Sequence, residues 1–131
     1  MVAAIERVLV HPQLAGCFDP ATSRGEVPLM GTLTSKSGPR SVSGQVDRLA
    51  VLDDRVVVLD FKTSLQVPQS ATSIPADYVT QMALYHDLVA RLYGGKKVDC
   101  MLVWTHAQEG PVVMQVPESA ITAALTKIAQ L

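Results

Sequence analysis

The sequence predicts an α/β domain: a central mixed β-sheet flanked by helices. Two observations carry the prediction. Residues 42–62 read as two strands and a turn, because Val42–Val51 is rich in β-branched and apolar residues and Val56–Lys62 is almost continuously apolar. A helix-period stripe then runs through Ala76–Tyr93, and another apolar strand, Lys97–Trp104, follows it. A strand reached through a helix is generally parallel to its partner, whereas a hairpin is antiparallel, so the sheet is mixed. With 131 residues, 48% hydrophobic and 18% charged, the chain suits one domain with a proper core.

In chain order, Ala3–Val10 reads as a short amphipathic helix stopped by Pro12, and Gln13–Phe18 as a further helical turn before Asp19-Pro20. Glu6 and His11 fall here and read as surface residues. Glu26–Thr34 is the first strand, with Pro28 marking an edge or irregular start. Ser35–Arg40 is a turn punctuated by Gly38-Pro39. After the central hairpin, Thr63–Asp77 is a Ser-, Thr- and Pro-rich segment. It leaves the strand end that carries Lys62, so it reads as a mobile flap beside the site or as an inert linker. The stripe of the major helix is Tyr78, Met82, Tyr85, Leu88/Val89 and Leu92, and Gly94-Gly95 ends it. Pro111–Val116 is a short strand, and Glu118–Leu131 is a closing helix with Ile121, Ala124, Leu125 and Ile128 inward. His86 and His106 lack ligand spacing and read as structural or surface histidines.

The hairpin concentrates the chemistry. A turn centred on Asp53-Asp54 sets Asp47 opposite Asp60 and Gln45 opposite Lys62, all on the face that carries Leu49, Val51, Val56 and Val58. Like charges directly opposed on a sheet are destabilising. A divalent cation reverses that sign, because hard carboxylate oxygens are what Mg²⁺ selects. The Phe61 carbonyl, at the strand end, is free to serve as a further oxygen ligand. The bland alternative is a surface hairpin with two aspartates and a lysine, and the apolar neighbours on that face argue against it.

These residues carry a resemblance. Gly44, Asp47 and Arg48, then Asp60-Phe61-Lys62-Thr63, then Gln81 and Tyr85 on the following helix, resemble the PD-(D/E)XK nuclease superfamily in its RecB-like branch. The likeness is nearest to the C-terminal nuclease domain of AddA-type helicase–nucleases, and it extends weakly to Glu26-Val27-Pro28 and Val103-Trp104-Thr105. It implies a restriction-endonuclease-like core and Mg²⁺-dependent, exonucleolytic hydrolysis of DNA in double-strand-break repair and recombination as part of an AddAB/RecBCD-like complex, with Mn²⁺ as a substitute, leaving a 5′-phosphate and a 3′-hydroxyl. Asp47, Asp60 and the Phe61 carbonyl would hold the metal. Glu26 would be an upstream ligand, since the family often places an acid or histidine there. Lys62 would orient water or offset phosphate charge, and Gln81 and Tyr85 would lie beside the catalytic residues and the DNA backbone. The implied partners are DNA, helicase domains of the same polypeptide and an AddB-like subunit.

Composition bounds these expectations. The net charge of −1 gives no global basic signal for nucleic acid. Cys17 and Cys100 are far apart, which suits free thiols in a reducing, cytoplasmic setting. They are too few for the four-cysteine iron–sulfur cluster of AddB-type nuclease domains. No run approaches a membrane span, the start lacks a signal-peptide charge pattern, and no phosphate loop of a motor is present. One domain is what the length suits, and the resemblance implies a single nuclease domain, residues 1–131, from the C-terminal part of a larger helicase–nuclease. Its rivals are a stand-alone RecB-like exonuclease and a non-catalytic DNA-binding or scaffolding domain of the same fold. A complete D…D-x-K set argues against the last.

Overall fold

The computed structural model describes residues 2–131, with side chains from Glu6 onward. Its elements are α1 (Val2–Leu9), β1 (Ser23–Ser35), β2 (Gly38–Val51), β3 (Arg55–Lys62), α2 (Ala76–Leu92), β4 (Lys97–Trp104), β5 (Val112–Gln115) and α3 (Glu118–Ala129). The strands form one sheet in the order β1-β2-β3-β4-β5. Neighbours are antiparallel except β3 and β4, which are parallel and joined through α2. The mixed sheet flanked by helices is the restriction-endonuclease-like α/β architecture that the sequence predicts.

Two cores lie on the two faces of the sheet. α2 and α3 cover one, where Val46, Leu49, Val56, Val58, Leu102 and Trp104 meet Met82, Tyr85, Val89 and Ile121. The segment from α1 to Phe18 covers the other, where Val8, Leu14 and Cys17 meet Ala50, Val57, Leu59, Met101 and Val103. β3 is thus buried on both faces, which is why its sequence is an unbroken apolar run rather than an alternating one. At the far end of the sheet the buried Asp99 is satisfied by Arg55 at 3.0 Å and by the Gln115 amide at 3.0 Å.

Several boundaries differ from the sequence expectation. β1 and β2 run on to a tight reversal at Lys36-Ser37, so most of the expected Ser35–Arg40 turn is strand. Pro39 is tolerated because the β2–β3 ladder begins only at Arg48, so the missing N–H at Pro39 breaks no bond to β3. A 3-10 turn at Pro12–Leu14 stands where a turn of helix over 13–18 is expected. The 63–77 segment carries a 3-10 turn at Ala71–Ser73, and Val67, Ala71 and Ile74 pack onto the helix-side core, so much of it is pinned. Leu92, counted in the helix stripe, is 67% exposed because the stripe drifts off the sheet at the last turn.

Candidate active site

The site forms where β2 and β3 part. Their ladder runs from Val51↔Val56 to Arg48↔Leu59, in the register the Asp53-Asp54 turn sets, and then stops. Asp47 and Asp60 therefore lie one step beyond the last pair, not directly opposed within the ladder. Gln45 and Lys62 do not face each other either: Gln45 pairs with Pro28 of β1, and Lys62 with Trp104 of β4. The physical reason is local. The Asp47 carboxylate accepts the Phe61 N–H at 2.8 Å, replacing a strand-to-strand bond with a side-chain bond.

The distortion extends to β1. Pairing runs through Gly25↔Arg48 and Val27↔Val46 but skips Glu26 and Asp47 between them. Glu26 has φ +54, the left-handed region, which costs a non-glycine residue about 1–2 kcal/mol. Val46 and Leu49 both enter the helix-side core although an odd spacing sends side chains to opposite faces of a regular strand. The alternation is thus reset at the Glu26/Asp47 step. Strain of this kind concentrates at functional sites.

Asp60 and Lys62 follow Val56 and Val58 on the helix-side face of β3. Asp60 is 7% exposed. Lys62 Nζ lies 2.6 Å from Asp60 Oδ2, but off the line a hydrogen bond needs, so that buried oxygen has no aligned donor. Burial raises the Asp60 carboxyl above its ordinary 3.8; Lys62 pulls the other way, and Asp47 adds to the rise. The Phe61 N–H points at Asp47, and a residue's N–H and C=O point to the same edge of an extended strand, so its carbonyl opens into the gap between β2 and β3. Lys62 turns the other way, its carbonyl accepting the Thr105 N–H at 3.1 Å. On the opposite face Phe61 stacks on Phe18 with centroids 6.5 Å apart, and Arg48 lies over Phe18. Arg48 also donates to the Cys17 carbonyl and Ser23 Oγ, both at 2.8 Å, which fixes the back of the site.

Gln81 and Tyr85 form a second group. The Gln81 amide donates to the Tyr85 hydroxyl at 3.4 Å, and that hydroxyl donates to the Gln45 carbonyl at 3.3 Å. Tyr85 is 6% exposed and fits against Gly44, where a Cβ would come within 2.8 Å of its ring and hydroxyl. Asp47, Asp60, Phe61 and Lys62 are thus brought together, and Gln81 and Tyr85 bind the strand just before Asp47. Glu26 is level with Asp47 in the ladder and exposed. Among the described residues no three His, Cys, Asp or Glu side chains converge as a metal site.

Sequence reasoning missed Tyr78. Its ring lies under Lys62 Nζ, 3.9 Å from centroid to nitrogen, while it also packs against the helix-side core. Tyr78 is three residues before Gln81, on the same flank of α2, which is the one signal that pointed to it.

The chain matches the sequence model of the PD-(D/E)XK nuclease superfamily over residues 4–130 and belongs to that superfamily. No curated protein matches it. Among solved structures, the protein SSO0001 is 15% identical with a TM-score of 0.57, covering 97% of this chain and 58% of its own. A "putative exonuclease" from Eubacterium rectale is 16% identical with a TM-score of 0.62, covering 98% of this chain and 48% of its own. At such identities the likeness is one of fold, and this chain spans only about half the length of those proteins. Among the described residues no helix is long and apolar enough to cross a membrane.

Proposed function

We propose that this domain is a metal-dependent deoxyribonuclease that works within an AddAB- or RecBCD-like helicase–nuclease in double-strand-break repair and recombination. The observation that carries the reading is Asp60: a buried carboxylate oxygen without an aligned donor, beside Asp47 and within reach of Lys62. Two carboxylates against one ammonium leave the site short of positive charge, which fits a hard divalent cation. Asp47, Asp60 and the Phe61 carbonyl would hold Mg²⁺, or Mn²⁺ in its place, with Glu26 as the candidate upstream ligand. Such an ion, when bound, offsets phosphate charge and acidifies water.

The chain's own residues supply the rest. Lys62 offsets charge developing on the phosphate or orients the attacking water, as a compact cation can. Arg48 and Phe18 hold the Asp60–Lys62 backbone from behind. Gln81 and Tyr85 fix the approach of β2 through the Gln45 carbonyl and lie beside the path of the DNA backbone. The partners are DNA, helicase domains of the same polypeptide and an AddB-like subunit in the cytoplasm. A stand-alone exonuclease is the second reading, favoured by the fold likeness to the Eubacterium rectale protein.

The test is digestion of linear single- and double-stranded DNA with and without Mg²⁺, with Asp60→Asn as the control. Metal-dependent cleavage absent from the variant supports the proposal. No cleavage by the wild type under any metal condition, together with metal-independent DNA binding, returns the domain to a scaffolding role. The sequence encoded ahead of this segment then separates the two nuclease readings, by the presence or absence of a motor.

A further inference from the structure

Lys62 has two partners and the proposed chemistry leaves it only one. Its Nζ is 2.6 Å from Asp60 Oδ2 and 3.9 Å from the Tyr78 ring centroid. The lysine side chain is 15% exposed, so the contacts are largely shielded from water. A divalent cation on Asp47 and Asp60 would draw off the Asp60 charge and repel the ammonium beside it. The aromatic face competes for no metal ligand, and it attracts a cation through the ring quadrupole. Its place is set from outside the carboxylate pair, because Tyr78 sits in the first turn of α2 and its N–H donates to the Pro75 carbonyl at 3.1 Å, next to the buried Ile74.

We propose that Tyr78 is a positioning residue: its ring is the seat that keeps Lys62 at the site when a divalent cation takes over Asp60. This rests on the nuclease reading above. Without the ring, Lys62 in the loaded site has no fixed partner and samples conformers that do not face the phosphate.

Two readouts on the whole chain test it, one free of activity. In ¹³C-labelled protein the Lys62 ε-methylene resonance, assigned by its loss in Lys62→Arg, is shifted upfield by the Tyr78 ring. Saturation with Ca²⁺ should leave that shift in place; its collapse on Ca²⁺ addition overturns the proposal, whether or not the protein cuts DNA. For turnover, Tyr78→Phe should keep kcat, and progressively fluorinated phenylalanines at 78 should lower it stepwise to about tenfold, with KM little changed, as the ring face loses charge. This series keeps the ring's shape, so it stands even where Tyr78→Leu fails to fold. A kcat indifferent to fluorination would make Tyr78 a packing residue only. If the wild type binds no Ca²⁺ by calorimetry, both proposals fall; if it binds Ca²⁺ but cuts no DNA with Mg²⁺, the function proposal fails and the resonance still decides the seat.

Discussion

Asp60 carries a charge that the fold makes costly. Its carboxyl is raised above 3.8 chiefly by burial, so the ionised form is less stable in the folded chain than in the unfolded one. The cost is absent below the unfolded value and complete above the raised folded value. Asp60→Asn should therefore raise the melting temperature of the metal-free protein at pH 7, and the gain should shrink as the pH falls toward 4. Thermal melts of both proteins across that range check this; a loss of stability at pH 7 would make the Asp60 charge structural. Saturating Mg²⁺ should reverse the order, because a ligand that binds only the folded state stabilises it. The thiols give a second prediction at this scale. Burial raises both, Cys17 at the back of the site and Cys100, the latter pushed up to about 12, and each is 2% exposed or less. Neither should react with Ellman's reagent until the protein unfolds, and rapid labelling of the folded protein would contradict the packing described. That Asp47, Asp60 and Lys62 come together at one strand end was legible in the sequence, because their spacing about the turn sets it. Tyr78 was not, because an aromatic residue in the first turn of an amphipathic helix reads equally well as core.

At the scale of elements, the hairpin register was legible from the turn, but the end of the β2–β3 ladder was not. Pattern reasoning assigns side chains to faces, and a carboxylate that replaces a ladder bond leaves the pattern unchanged. The same limit hid the positive φ at Glu26, since nothing about a glutamate announces it. The 63–77 segment read as a mobile flap or an inert linker because its Pro and Ser content hides three inward apolar residues, Val67, Ala71 and Ile74. One contact ties β2 to α2 closely enough to test. A Cβ on Gly44 would sit 2.8 Å from Tyr85, so Gly44→Ala should destabilise the protein by about 1–3 kcal/mol through overpacking. Tyr85→Leu should relieve part of that cost, a coupling that a double-mutant cycle in denaturant reads directly. Additive effects would show that Gly44 and Tyr85 do not meet.

At the scale of the molecule, eleven basic residues are offset by twelve acidic ones, so few phosphates are neutralised at once. The isolated domain should bind short oligonucleotides weakly near physiological salt and more tightly with Ca²⁺ present, if the proposed Asp47/Asp60 site takes the ion. Fluorescence anisotropy with and without Ca²⁺ checks this, and tight, metal-independent binding would favour the scaffolding reading. A motor in the same polypeptide would compensate by delivering the strand at high local concentration. The proposed chemistry needs a metal held by the aspartate pair and not by the lysine. Calorimetric titration of Mn²⁺ into the wild type, Asp60→Asn and Lys62→Ala tests that claim most directly. Binding should be lost in Asp60→Asn and kept, at equal or higher affinity, in Lys62→Ala, because the lysine competes for Asp60 but cannot be a ligand. Undiminished binding in Asp60→Asn, or its loss in Lys62→Ala, would contradict the account.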